Sequence, residues 1–276
     1  MLQAMRIFSA LISLLIAIVP AMAAEKIEFG VGEYRLQAEL YRPSGAGPFP
    51  TIVAMHGCGG LMDASGKIRP QYADWGERLA AQGLAVMFPD SYASRGLGSQ
   101  CRVRSRTIQP SRERVADAHA ARTWLQAQDW VVKDRVSLLG WSNGAIAALW
   151  TVRPRAAPKD SHPDFRSAVV LYPGCRRLGE SGWSARIPTL ILIGAADNWT
   201  PARDCEQMVA GARGRSARAT IIKYRDAHHG FDRENLPVVE LRGLAFTPDG
   251  SGRALIGGNA EARADALQRV PQWLGR

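Results

Sequence analysis

The chain has 276 residues, 46% of them hydrophobic, with 35 basic against 25 acidic side chains and a formal charge of +10 at pH 7. That length suits one large α/β domain with a buried sheet. A basic balance can serve nucleic acid, an acidic membrane surface or anionic small molecules. No basic helix with interleaved aromatics is present to stack bases, so nucleic acid is not an expected partner.

The first residues, MLQAMRIFSALISLLIAIVPAMAAEK, carry Arg6 ahead of an apolar run and the triplet Ala21-Met22-Ala23. This is the pattern of a secretory signal over residues 1–23, removed before a mature domain over 24–276. An uncleaved anchor is the other reading, but the apolar run is short for a span. The expectation is a periplasmic or secreted protein, not stably inserted in a membrane once the signal is removed. No internal repeat or low-complexity linker divides the rest of the chain.

In the mature part, Tyr34, Leu36, Ala38 and Leu40 alternate and predict a half-buried antiparallel strand. TIVAMHG (51–57) is a nearly continuous apolar run, as in a strand covered on both faces. PQYADWGERLAAQG reads as a helix stopped by Gly83, and LAVMFPD (84–90) as the next strand. Residues 91–110 show no period and form a long loop, of a length usually functional or mobile. A helix follows, with Ser111 as cap and Val115, Ala118, Ala121 and Leu125 inward. Strands are predicted over 135–140, 167–174, 188–197 and 219–227. Between them lie a helix starting at Asn143 and another with Thr200 as cap and Pro201 at its first position. An amphipathic helix closes the chain. Strand alternating with helix implies a mainly parallel sheet wrapped on both faces, with reactive groups beyond the carboxyl ends of its strands.

Four cysteines, Cys58, Cys101, Cys175 and Cys205, allow three pairings. An even number in an exported chain suggests disulfides, and locality favours Cys58–Cys101 and Cys175–Cys205. No C-x-x-C or H-x-x-x-H spacing points to a metal, and no organic cofactor is expected.

The chemistry centres on Gly-Trp-Ser-Asn-Gly, residues 140–144, between a predicted strand and a predicted helix. Small residues flanking one serine let strand and helix pass closely, so that Ser142 projects as a nucleophile above the sheet. A plain helix cap is the competing reading. A nucleophile of this kind needs a base and an acid that follow in the order Asp or Glu, then His. Asp197 and His229 both fall just past predicted strands, in that order. Asp197 also suits a cap on the next helix. His229 is preferred over His228 because Gly230-Phe231 gives its ring a turn and an apolar wall. His119 lies in a helix and His162 in a loop, while His56 is expected to fix loop backbone. An oxyanion needs two donors. The N–H of Asn143 is one, and the N–H of Cys58, with Gly59 as alternative, is the other. A thiolate at Cys58 is the rival reading, disfavoured where Cys101 can oxidise it. The arginines crowd between 95 and 114, at Arg95, Arg102, Arg104, Arg106, Arg112 and Arg114. A solvated basic loop is the simplest account. Attraction of an acidic substrate, through Arg95 with Arg102 or Arg104, is the functional one.

HGCGGL, PDSYASRG, GWSNG, YPGC, GAADNWTP and DAHHGFD together resemble the dienelactone hydrolase family of α/β-hydrolases, over essentially the whole mature chain. The resemblance implies the α/β-hydrolase fold, with Ser142, Asp197 and His229 as nucleophile, acid and base. The founding members carry cysteine in the elbow and are cytosolic. Serine at 142 implies hydrolysis of carboxylic esters more generally, of small or anionic esters or lactones. In those enzymes arginines hold the substrate carboxylate, which places Arg95 in that part. The expected partner is therefore a small-molecule ester, with the oligomeric state left open. Two other functions fit the same residues: a non-catalytic binding protein on this fold, or a hydrolase of amides or peptides.

Overall fold

The computed structural model of the protein describes residues 24–275, so the expected signal over 1–23 lies outside the described residues. Strands β1 (Glu25–Val31) and β2 (Tyr34–Tyr41) form an antiparallel hairpin, with Phe29 opposite Leu36. Leu36, Ala38 and Leu40 face the core as the alternation predicts. Tyr34 does not: it is 58% exposed at the strand's start, where its ring lies against the Arg95 guanidinium.

Six further strands continue the sheet: β3 (Phe49–Met55), β4 (Ala85–Pro89), β5 (Val131–Trp141), β6 (Ala168–Leu171), β7 (Thr189–Gly194) and β8 (Ala219–Tyr224). The order is β1-β2-β4-β3-β5-β6-β7-β8, with β2 antiparallel to β4 and every pair from β4 to β8 parallel. This is the α/β-hydrolase fold expected from the sequence. The central strands are the apolar runs, and Ile52, Val53, Leu138, Leu139, Val170 and Ile191 are essentially sealed from water. Each such side chain contributes roughly 1.5–3 kcal/mol relative to exposure.

The helices are α1 (Pro70–Ala81), α2 (Glu113–Gln126), α3 (Asn143–Thr151), α4 (Arg176–Glu180), α5 (Ala202–Gly211) and α6 (Ala260–Leu274). The chain steps one way from β3 to β4 and the other way from β4 onward. Right-handed crossovers then put α1 on one face and α2, α3 and α5 on the other. Helix α6 joins α1 through an Arg263–Asp74 pair at 2.7 Å. The reversal of direction opens a crevice at the carboxyl ends of β3 and β5, where such folds bind ligands.

Other details depart from the sequence reading. Helix α2 starts at Glu113, and Ser111 caps nothing. Its inner face buries Arg114, Asp117 and Arg122 beside Ala118, Ala121 and Leu125, while Val115 is only half-buried. Strands β6, β7 and β8 end at Leu171, Gly194 and Tyr224 rather than at 174, 197 and 227. A small antiparallel pair, β9 (Val239–Leu241) with β10 (Ala254–Ile256), was not anticipated, because three-residue strands carry no readable period.

Both disulfides favoured by locality are present, Cys58–Cys101 and Cys175–Cys205. Among the described residues no helix is long and apolar enough to cross a membrane.

Candidate active site

Ser142 stands alone between β5 and α3, at φ 52° and ψ −116°. A non-glycine residue rarely adopts such angles, and they persist only where the surroundings force them. The forcing is visible in the two flanking glycines. A Cβ on Gly144 would lie 1.9 Å from the Met55 carbonyl oxygen, and one on Gly140 would lie 2.7 Å from that of Gly144. Strand and helix therefore approach more closely than any side chain permits. Ser142 occupies the cap position of α3, yet its hydroxyl caps nothing. Its Oγ lies 3.0 Å from His229 Nε2 instead.

His229 follows β8 in a tight turn completed by Gly230 at φ 78°. Its Nδ1 is 2.9 Å from Asp197 Oδ2. The carboxylate only accepts, so Nδ1 carries the hydrogen and Nε2 is left to accept from the serine hydroxyl. The ring is nearly buried between Tyr172 and Trp199, with centroids 4.5 and 4.6 Å away. Its backbone is fixed by the unanticipated strand β10, since Gly257 N–H donates to the His229 carbonyl at 3.0 Å. Gly194, at the end of β7, makes room for the same loop, because a Cβ there would sit 2.0 Å from Ala227 O.

Thr200 was expected to cap α5. The helix has Pro201 in the cap position and no side-chain cap. The Thr200 hydroxyl lies 2.8 Å from Asp197 Oδ2, 3.1 Å from His229 Nδ1 and 3.1 Å from the Tyr172 carbonyl. It belongs to the histidine–aspartate pair. The other Asp197 oxygen, Oδ1, accepts the N–H groups of Trp199 and Thr200 at 2.9 and 2.8 Å. The local turn and the contact to His229 thus use different oxygens of one carboxylate.

Cys58 and Asn143 both line the mouth of the crevice next to Ser142. Asn143 is the first residue of α3, so its N–H has no intrahelical partner. Cys58 lies in the turn closed by Gly60 N–H on the Gly57 carbonyl. The preceding N–H, of Gly57, is occupied by the Tyr72 hydroxyl at 2.8 Å. Gly59 packs by the Arg69 side chain, which donates to its carbonyl at 3.0 Å.

Beneath Asn143 lies a fully buried guanidinium that the sequence reading assigned to a solvated loop. Arg114 donates to the His56 carbonyl at 2.7 Å, to Asn143 Oδ1 at 2.8 Å and to Ser91 Oγ at 3.3 Å. Tyr92 OH reaches the same Asn143 oxygen at 2.9 Å. Arg114 thereby ties the end of β3 to the start of α3. His56 fixes backbone as expected, since its Nδ1–H donates to Gly57 O and its Nε2 accepts from Ser91 N–H. Burial, and then Arg114, push its pKa well below the usual imidazole value. Nε2 is therefore neutral, and the 3.8 Å approach of Asp90 is not an ion pair.

The structure does not bring Arg95 into the crevice. Its guanidinium is spent on a bidentate pair with buried Asp117, at 2.7 and 3.0 Å, and on the Ser91 carbonyl. Arg102 donates to the Arg242 carbonyl, and Arg104 is exposed and does not line the crevice. Of the arginines between 95 and 114, the one that does line the crevice is Arg106, whose guanidinium covers the Phe246 ring at 4.6 Å. Its Nε donates to the carbonyls of Gln100 and Val103, and among the described residues no carboxylate pairs with it. His228 is half-buried on the Ala196 carbonyl, His119 holds the Ala156 carbonyl, and His162 is exposed. None of the three reaches Ser142.

The crevice encloses about 270 Å³. Ser142, Asn143 and Thr200 contribute to its lining, with Ile146, Trp150, Trp199 and Phe246 as apolar walls; its charged lining is Arg106, Arg177 and Arg176, the last paired with Asp204 at 3.4 Å. Among the described residues no group of three or more His, Cys, Asp or Glu side chains is placed to hold a metal ion. The arrangement can move a proton from Ser142 to His229 and stabilise the resulting imidazolium through Asp197.

The sequence profile of the dienelactone hydrolase family matches residues 36–276. No curated protein matches the chain. Among solved structures, a dienelactone hydrolase-like promiscuous phosphotriesterase from metagenomic libraries superposes with a TM-score of 0.70 at 20% identity, over 92% of this chain and 98% of that one. The dienelactone hydrolase of Anabaena variabilis gives 0.62 at 16% identity, covering 91% and 96%. Thermogutta terrifontis esterase 2, in a form phosphoramylated by tabun, gives 0.63 at 20% identity, covering 94% and 97%.

Proposed function

Because the chain belongs to the dienelactone hydrolase family, we propose that it is an exported serine hydrolase acting on carboxylic esters. One observation carries the reading: the Ser142–His229–Asp197 relay, with contacts of 3.0 and 2.9 Å around a buried imidazole. His229 takes the Ser142 proton as Oγ attacks the ester carbonyl, and Asp197 orients the ring and stabilises its charged form. The N–H groups of Asn143 and Cys58 receive the oxyanion. His229 then protonates the leaving alcohol and activates the water that releases the acid. The Cys58 sulfur is bound to Cys101, so Cys58 acts through its backbone and not as a thiolate.

The substrate class is a small ester with an apolar body and an anionic group. The apolar walls support the first part, and the unpaired charge of Arg106 supports the second. Export rests on the signal pattern over 1–23 and on two disulfides in a chain with no free cysteine among the described residues.

The test is hydrolysis of p-nitrophenyl acetate by the mature protein and by Ser142→Ala. Loss of the nucleophile is expected to lower kcat by roughly four orders of magnitude or more. A variant as active as the parent contradicts the reading. A parent that spares esters but cleaves p-nitroanilides points to amide hydrolysis at the same relay.

A further inference from the structure

Behind the relay lies a second carboxylate that the proposed reaction does not use. Asp232 is 2% exposed and sits three residues beyond His229. It accepts from Tyr172 OH at 2.7 Å, Trp75 Nε1 at 2.8 Å, Trp141 Nε1 at 2.9 Å and Gln71 Nε2 at 2.9 Å. All four donors are neutral. A buried carboxylate ordinarily has a cation beside it. Here the nearest arginines act at one remove, Arg263 on the Asp232 backbone carbonyl and Arg233 on Gln71 Oε1.

Two of those donors belong to residues that touch reacting groups. Trp141 is bonded directly to Ser142, so its indole sets the last residue of β5 before the strained turn. Tyr172 has its own strained backbone, at φ 43°. Its carbonyl faces the Thr200 hydroxyl, and its ring packs on the His229 ring at 4.5 Å. Burial, and then Asp232, raise the Tyr172 phenol well above its usual pKa, so it stays protonated and keeps donating. Phe231, adjacent to Asp232, packs edge-on against Tyr172 at 5.4 Å. Hydrogen bonds to an ionised acceptor are shorter and about twice as strong as neutral ones.

We infer that Asp232 is a positioning residue for hydrolysis: one carboxylate, carried on the histidine's own loop, sets Ser142 through Trp141 and His229 through Tyr172. It touches neither substrate nor reacting atom. The inference rests on the serine-hydrolase reading, because it assigns Asp232 a part in that reaction. A purely structural hub would alter stability alone, whereas a positioning residue alters kcat at constant KM.

The experiment compares the parent, Asp232→Asn and Tyr172→Phe with p-nitrophenyl acetate. Active sites are counted by complete labelling with a fluorophosphonate. Leu36→Ala, in the core of β2 at the far side of the sheet, serves as a destabilised control. Asparagine keeps the volume but turns one acceptor oxygen into a donor facing donors. Asp232→Asn is expected to lower kcat per active site about tenfold or more, the scale of a small misplacement of reacting groups. Its KM should stay within about twofold. Tyr172→Phe removes one donor and leaves the ring on His229, with an expected kcat loss of roughly threefold, the worth of one hydrogen bond. Leu36→Ala should melt earlier with unchanged kcat per site. A folded Asp232→Asn with the parent's kcat and a lowered Tm overturns the inference. If Asp232→Asn does not fold, Tyr172→Phe decides it, and parental kcat there overturns it. A parent that neither labels nor hydrolyses fails the serine-hydrolase reading first and takes this inference down with it.

Discussion

The floor of the crevice and the loop over 91–110 are built by opposite means. At the floor, backbone meets backbone. Gly140, Gly144 and Gly194 admit contacts that no side chain tolerates, and Ser142 is strained because the strand and helix around it are not free to relax. The loop is held by side chains: the Cys58–Cys101 bridge, Arg95 on Asp117, and Arg106 on two carbonyls and the Phe246 ring. It is also joined to the segment carrying Phe246, because Ala245 N–H donates to the Cys101 carbonyl at 2.9 Å. The difference teaches where change is tolerated. The Ser142 turn rests on geometry that allows almost no substitution, whereas the loop rests on side chains that can be exchanged singly.

That contrast breaks most sharply at Gly144. A Cβ there meets a backbone carbonyl at 1.9 Å, with strand on one side and helix on the other. Gly144→Ala is expected to cost above about 4 kcal/mol, in the range reserved for gross steric conflict. Urea denaturation, or the absence of soluble protein, reads it. A stable Gly144→Ala would mean that the elbow is looser than the geometry states.

A smaller effect sharpens the other half of the comparison. Arg106→Ala should raise KM for an anionic aryl ester about tenfold, the worth of one charge-assisted contact, and leave a neutral analogue nearly unchanged. Arg95→Ala should lower stability through loss of the Asp117 pair without that selective change in KM. The reverse pattern would restore Arg95 as the residue that holds the anion.

The last effect concerns pH and is smallest near neutrality. Burial holds His56, and less strongly His119, neutral in the folded protein, with pKa values below the usual 6.5. Arg114, Arg69 and Asp90 are the charged groups that act on His56. Below pH 6.5 the unfolded chain takes up protons that the folded one refuses, so folding weakens as pH falls from there toward the depressed folded values. The slope approaches roughly 1.4 kcal/mol per pH unit for each histidine so held. A Tm unchanged between pH 7 and 5 contradicts it.

The sheet was legible because its central strands are short apolar runs closed by glycine or Pro-Asp, and the helices between them are periodic. The order of Ser142, Asp197 and His229 along those strands singled out three side chains that the fold brings into contact. Less was readable where one residue type serves two purposes. Thr200 before Pro201 has the local pattern of a cap, and only the approach of β8 places its hydroxyl on the His229–Asp197 pair. Arg95, Arg106 and Arg114 look alike in a basic stretch. Their fates diverge because α2 carries Asp117 and Arg114 inward, and burial with a partner is a property of the packed fold. Asp232 closes the DAHHGFD stretch, but its role gave no signal, since its donors come from α1, β5 and the turn after β6. The pair β9–β10 is too short for periodicity, yet its second strand anchors His229.

The central claim is that Ser142 is the atom His229 activates, and peptide mapping after fluorophosphonate treatment tests it most directly. The account predicts one covalent adduct per chain, on Ser142, and no adduct in His229→Ala on the same timescale. An adduct on another residue, or undiminished labelling without His229, would contradict it.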